Sequence, residues 1–526
     1  MTLNRNMRRL TGTAAALGGL FLLAPAPASS AAEPAVLLER WTYDADSARL
    51  ADGVAYFKYV EDPSKLVGRT TPRVLNIVRV APDAGATRLE TSFGQKGSGV
   101  PETVREQLDT STPPLAGINA GFGSYDVRND DVRSMMFNGI SVRDGVINGV
   151  SCVFPKGQKD PASGKYTQVK EGMRAAVLQY GVPYMSLLKT ELNMEIFEKN
   201  ADGTDRTVAS HRLDDVNRTP GRATGCARDL DDLNGEGKVT YGTNVPLPLF
   251  QDPDELVVFN GDYGIMTPSR NLDANAEVPG DNDTGVEIPV DGSGVIGAAR
   301  TARGGHPVDR GAYAIQAIGT DATWLTTNAT AGRHLRVVQK VVDLGAPPVK
   351  SAASPNVEQP RLVALDESTD IVSNVHWLVE DGKSNPNLTT CKRVYSVNNI
   401  AVKPEDERQP GDFCRDSRTA IGVDRAGATL FVTITGPRDA AAPPADDKEA
   451  EKLVDGAFMW EMRDVLLALH AQDAMNLDGG GSTTLITNGY RRTGLTDTTT
   501  AGGKKEWTER EVGDSVYVGK GGTPLP

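Results

Sequence analysis

The sequence predicts an α+β protein dominated by mixed β-sheets with a few packed helices. Short runs with period-two alternation recur along most of the chain. Only two segments carry apolar residues at helical spacing. Polar, Gly- and Pro-rich stretches at 155–168, 268–286, 346–360, 381–389 and 436–450 read as surface insertions, and no fixed-period repeat is present. One large β-rich domain with insertions is therefore the economical division.

The elements follow in order. Val54-Ala-Tyr-Phe-Lys-Tyr-Val60 and Val74-Leu-Asn-Ile-Val-Arg-Val80 are strands of a β-rich segment over 33–110, either a small preceding unit or part of the same sheet system. The main domain spans 111–520. Leu115 to Asn119 is a short strand, and Ser141 to Ile147 holds a turn at Asp144-Gly145. Tyr184 to Asn200 alternates and turns at Asn200 to Gly203. Glu255 to Phe259 and Leu430 to Ile434 are strands. Helices are predicted at Arg310 to Ile318 and at Gly456 to Gln472, the latter with Met459, Met462, Val465, Leu466 and Leu469 on one face. His470 falls on that helix, in a structural role.

The chain has 526 residues, of which 39% are hydrophobic and 24% charged, with a net charge of −13. This is a soluble globular composition. No excess of Lys or Arg exists to neutralise a nucleic-acid backbone, so that partner class is not expected. Residues 1–32 read as a secretory signal peptide: Arg5, Arg8 and Arg9 precede an apolar stretch from Leu10 to Leu23 and a small-residue run ending at Ala31-Ala32. Arg8-Arg9 also raises the twin-arginine route. No later stretch is long and apolar enough to span a membrane. The expected location is secreted. The four cysteines suit that compartment, and proximity favours the disulfides Cys152–Cys226 and Cys391–Cys414.

The chemistry concentrates at Asn476-Leu-Asp478-Gly479-Gly480-Gly481-Ser482. A short apolar strand delivers a carboxylate into three glycines and then a hydroxyl. Glycine lets backbone N–H groups approach a ligand, and successive N–H groups can cradle an anion. An acid at the lip of such a loop points to a phosphate-bearing or hydroxyl-rich substrate. Arg418, in Arg418-Thr-Ala-Ile-Gly422, supplies a fork suited to a phosphate or carboxylate. The five histidines show no metal-ligand spacing, and no GxSxG, P-loop or GxGxxG run is present. Hence neither a Ser–His–Asp hydrolase nor a nucleotide cofactor is expected, and no cofactor is required. Asp232-Leu-Asn234-Gly-Glu236-Gly237 resembles a degraded calcium loop whose twelfth residue is Thr243, which leaves a weak Ca²⁺ site as the one metal possibility. Asp478, Asp262 and Asn260 also carry oxygen donors, without a spacing that demands a metal.

On these blocks the chain resembles the phosphodiester glycosidase family. Arg418 to Gly422 and Asn476 to Thr483 are the specific ones. Supporting blocks are Gly117-Ile-Asn119-Ala-Gly121-Phe122, Asn138-Gly139 through Asp144-Gly145, Asp215-Val-Asn217-Arg218, Glu255 to Pro268, and Glu509-Arg510 to Val518. The resemblance covers roughly residues 115–518. One departure stands out: Thr435-Gly436-Pro437-Arg438 lacks the Asp that members often carry there.

The resemblance implies an exported hydrolase of a sugar-1-phosphodiester of the GlcNAc-1-phosphate type, or of a related cell-surface glycan. Hydrolysis of ordinary glycosidic bonds and glycan binding without turnover are the rivals. It implies Asp478, Arg418 and Asn119 as catalytic residues. Asn217, Arg218, Asp262, Gly479, Gly480, Gly481 and Ser482 are implied as substrate ligands. Arg418 and the glycine N–H groups would hold the phosphate, and the asparagines would orient the sugar. Asp478 would serve as base, nucleophile or sugar ligand.

Overall fold

The computed structural model describes residues 40–66, 72–84, 88–110, 112–126, 132–179, 182–235, 237–241, 245–269, 285–351, 354–374, 376–388, 415–436, 456–495, 497–501 and 504–519. The expected signal peptide and the expected Cys391–Cys414 disulfide lie outside them.

One eight-stranded antiparallel sheet runs in the order Trp41–Ala51, Val54–Glu61, Val74–Val80, Thr429–Thr435, Arg418–Asp424, Ala471–Asn476, Trp377–Glu380 and Lys383–Ser384. Its alternation is legible in single strands. Leu75 and Ile77 pack with Leu430, Val432 and Ile434 against the Met459–Ala468 helix. Val78 and Val80 face the other way, into a core shared with Ile118, Val372, Leu485 and Val516. Within that core Asn76 is not orphaned: it accepts from the Tyr56 hydroxyl at 2.8 Å and donates to Thr433 Oγ1 at 3.2 Å.

A second sheet orders Val146–Gly149, Ser141–Arg143, Thr369–Asn374, Met173–Gln179, Val182–Lys199, His334–Asp343 and Arg361–Val363. Its far face packs on a four-stranded sheet and the Gly319–Asn328 helix. That four-stranded sheet contains a parallel pairing, Asp215–Val216 with Leu256–Asn260, so the architecture is mixed. A five-stranded sheet orders Tyr490–Arg491, Leu485–Thr487, Ala116–Asn119, Ser515–Gly519 and Arg88–Ser92. Strands dominate and helices are few, as an α+β reading requires.

Both predicted hairpins form. Asp144 and Gly145 adopt φ of 50° and 76°, the left-handed pair a tight two-residue turn demands. Gly203 (φ 82°) closes the turn between Val182–Lys199 and Asp205–Arg212.

The helix expected over 310–318 is wrong. Tyr313–Ala317 is a strand, paired on both sides with Leu256–Asn260 and Val286–Val290. Ala314, Ile315, Gln316 and Ala317 are all buried, and sheet pairing overrides the helix propensity of alanine and glutamine. The helix starts only at Gly319, where the Asp254 carboxylate accepts from Thr320 N at 2.5 Å. The second helix is shorter than expected, Met459–Ala468, with Glu461 accepting from Phe458 N at 2.9 Å. His470 therefore lies past the helix end, at φ 60° in the turn into the next strand.

Candidate functional site

Four strand ends converge. The Ala116–Asn119 strand ends where Ser515–Gly519 begins, since Asn119 pairs with Ser515. Arg418–Asp424 begins beside the end of Ala471–Asn476, since Ala420 pairs with Asn476. Main-chain bonds stitch the ends together: Leu477 N to Thr419 O at 2.8 Å, Asp478 N to Ala120 O at 2.9 Å, and Ala120 N to Asp514 O at 3.1 Å.

Asp478 stands at the centre, half-buried. Burial pushes its carboxyl up to about 6, against the opposing pull of the Ser482 hydroxyl, the Arg510 charge and Gly479 N. Asp514 is 1% exposed and accepts from Gly121 N at 2.8 Å and from Ser141 Oγ at 3.2 Å. Burial lifts it too to about 6, and the Asp478 charge adds to the lift. Asp416 is held above the usual carboxylate range by burial, with the Arg418 guanidinium opposing. Three acids and two arginines thus share one electrostatic neighbourhood.

The glycines are needed for close approach. Gly480 has φ 58°, and a Cβ there would lie 3.1 Å from Asp416 Oδ2. A Cβ on Gly481 would collide with the Arg510 guanidinium, which lies directly over it. The expected N–H cradle, however, is largely used up. Gly479 N donates to Asp478's own Oδ1 at 2.9 Å and Gly480 N to Ser417 O at 2.8 Å. The glycines shape the loop so that the arginines reach it; they do not themselves present a row of open donors.

The arginines divide the labour. Arg418 is 4% exposed, with Nε donating to Ala457 O at 3.1 Å. Arg510, whose side chain is 44% exposed, pairs with Asp497 at 2.7 Å. Arg510 is thus the more exposed of the two cations and Arg418 the buried one.

Asn119 belongs to the site as a positioning residue. Its Nδ2 donates to Asp478 O at 2.7 Å, and its Oδ1 accepts from Thr419 Oγ1 at 2.8 Å and from Thr484 N at 3.1 Å. Both ends of the amide are engaged in holding the loop. Ser482, 1% exposed, serves Asp478.

Three expected substrate ligands sit in other networks. Asn217, at φ 56°, donates to Asn148 Oδ1 at 3.0 Å and Asn260 Oδ1 at 3.1 Å. Asp262 accepts from Asn148 Nδ2 at 3.2 Å in the same cluster. Arg218 is fully buried, paired with Asp215 at 2.5 Å and with Glu255. A guanidinium so enclosed is structural, because leaving its carboxylates uncompensated would be costly. Of the weak Ca²⁺ segment, Asp232 and Asn234 lie in the Leu230–Asn234 helix, where Asp232 accepts from Arg228 N at 2.7 Å, and Glu236 and Thr243 lie outside the described residues.

Sequence reading missed Asp514, Arg510 and Asp416. Asp514 did carry a signal, an acid directly preceding the apolar Ser515–Gly519 strand. Arg510 and Asp416 stood within or beside quoted blocks, but which side chains turn toward Asp478 is a tertiary fact.

Residues 284–519 match the family model described as phosphodiester glycosidase. Among curated proteins, the chain is 29% identical over 124 residues to the bovine N-acetylglucosamine-1-phosphodiester alpha-N-acetylglucosaminidase, a span of 23% of this chain and 19% of that enzyme. The human enzyme of the same name matches equally, at 29% over 124 residues. The chain thus spans 19% of the length of these relatives. Among solved structures, a Burkholderia pseudomallei K96243 protein described as exported shares the fold at a TM-score of 0.64 and 18% identity, over 93% of this chain and 98% of that one.

The disulfide Cys152–Cys226 is present. No helix among the described residues is long and apolar enough to cross a membrane.

Proposed function

We propose that the protein is an exported glycosidase that hydrolyses a sugar-1-phosphodiester, of the GlcNAc-1-phosphate type, in a cell-surface polymer. The carrying observation is the electrostatically linked pair Asp478 and Asp514, both lifted to about 6, with the charge of the more exposed arginine, Arg510, acting on Asp478. Two carboxyls that share a field titrate as a pair, so near pH 6 one holds a proton while the other is ionised. That is the division of labour glycoside hydrolysis uses. Cleavage breaks the bond from the anomeric carbon to the phosphate oxygen. The phosphate monoester leaves with the electron pair, and water supplies the new hydroxyl. A phosphate is already a good leaving group, so stabilising its charge matters more than protonating it. Arg510, whose charge acts on Asp478, would take that role. Asp478 then acts on the water or on the anomeric carbon.

The relatives' name, the match to residues 284–519 and the described export of the Burkholderia protein support this reading. The absent Asp in Thr435-Gly436-Pro437-Arg438 favours, as second reading, an ordinary glycosidic bond as substrate. Hydrolysis of a GlcNAc-α-1-phosphodiester and of an aryl α-GlcNAc by the mature protein separates the two. Release from the phosphodiester alone, lost in Asp478→Asn, supports the first reading. Release from the aryl glycoside alone supports the second. Release from neither removes the GlcNAc-phosphodiester assignment.

A further inference from the structure

A separate cleft of about 280 Å³ opens between the second sheet and the lobe tied down by Cys152–Cys226. Its lining shares no residue with the Asp478 cluster. We propose that this cleft is a second, non-hydrolytic carbohydrate-binding site for a neutral sugar chain.

The argument runs through what the lining can and cannot hold. Two of its three cations, Lys189 and Arg228, are already engaged, and the third, Arg212, is largely exposed beside Asp229. Lys189 sits between Glu171 at 3.3 Å and Glu191 at 3.0 Å. Arg228 is bound to Asp215 at 2.6 Å, and Arg212 lies 3.8 Å from Asp229. An anionic ligand would have to compete with carboxylates in place. A metal cation fares no better at Asp214, since burial, reinforced by the charge of Glu255, keeps that carboxyl protonated up to about 8. Asp214 lines the cleft and accepts from Leu256 N at 2.8 Å through Oδ2. A protonated carboxyl both donates and accepts, as a hydroxyl-bearing ligand requires.

The rest of the wall fits the same chemistry. Ser151 and Thr190 hold each other rigidly, Ser151 N to Thr190 Oγ1 at 2.9 Å and Thr190 N to Ser151 Oγ at 3.2 Å. Asn193 adds an amide, and Val150, Val153, Leu192 and Leu213 supply apolar wall. A pyranose presents the same mixture, with hydroxyls at its rim and C–H groups on its faces. The volume lies just below the usual range of ligand sites, roughly 300–1,000 Å³, which suits a short stretch of chain. The assignment rests on this lining and not on turnover at Asp478.

The test is direct binding by calorimetry to cellotetraose, maltotetraose, tetra-N-acetylchitotetraose and inorganic phosphate, in the Asp478→Asn background so that hydrolysis does not intervene. At least one tetrasaccharide should bind, and Asn193→Tyr, which fills the cleft, should weaken it at least tenfold. Asn193→Ala, which preserves the space, should weaken it less, and circular dichroism checks that both variants fold. Binding of none of the three sugars would overturn the proposal. So would sugar affinity that survives Asn193→Tyr unchanged, or phosphate binding that Asn193→Tyr abolishes.

Discussion

The Asn119 side chain donates through Nδ2 to the main-chain oxygen of Asp478 at 2.7 Å, so the end of one strand clamps the residue on which the site turns. The same amide accepts from Thr419 and Thr484, which ties three segments to one side chain. Asn119→Ala should leave these buried groups without partners and destabilise the fold by about 2–4 kcal/mol. Urea unfolding of wild type and variant measures it. A cost below a few tenths would show that the clamp is dispensable.

Asp478→Asn should keep the fold and reduce kcat by roughly 10²–10⁴-fold. Its stability effect has a defined sign. The folded-state carboxyl titrates near 6 against an ordinary value of 3.8, so the folded protein binds the proton more tightly than the unfolded chain does. The group's favourable contribution is complete below about pH 4 and is lost as pH rises through 6. The neutral amide should therefore raise unfolding free energy at pH 8 by up to about 3 kcal/mol relative to its effect at pH 4. Equal effects at the two pH values would refute the shift.

The pH profile of kcat/KM should be a narrow bell centred near 6, since Asp478 and Asp514 both titrate there. Asp514→Asn should remove one limb. A profile flat from pH 5 to 8 would dissociate the pair from the rate.

Arg510→Ala should raise KM for a phosphodiester about ten- to hundredfold and leave an aryl glycoside nearly untouched. Gly481→Ala should mimic it, because the added methyl displaces the guanidinium. A loss shared equally by both substrates would assign Arg510 to the fold instead.

Replacing Cys152 and Cys226 by serine opens a bridge between residues 74 apart in sequence, and should cost about 2–4 kcal/mol. Thermal unfolding with and without reductant tests it in the unaltered protein.

What the sequence made legible follows from range. Strands such as Val74–Val80 and turns such as Asp144-Gly145 are written in local alternation and in φ > 0 residues, and they formed where expected. Asp478 and Arg418 were visible because each sits in a distinctive local run. The Tyr313–Ala317 segment failed because two flanking strands decided its state. Arg218 looked like a ligand because a motif does not reveal burial, and Asp215 and Glu255 enclose it. The positioning role of Asn119 and the presence of Asp514 depend on strands brought together from opposite ends of the chain.

That interleaving bears on how the molecule can be cut. The stretch matching the family model, 284–519, is not a separable piece. Thr429–Thr435 has Val74–Val80 as its neighbour, and Ala116–Asn119 lies between Leu485–Thr487 and Ser515–Gly519. A fragment starting at 284 would expose raw edges on Thr429–Thr435, Leu485–Thr487 and Ser515–Gly519 and leave half a core, an invitation to aggregate. The order of synthesis carries the same message. Val74 meets its partner Thr435 only when most of the chain has been made, so the earliest strands must wait for the latest ones before either is secure.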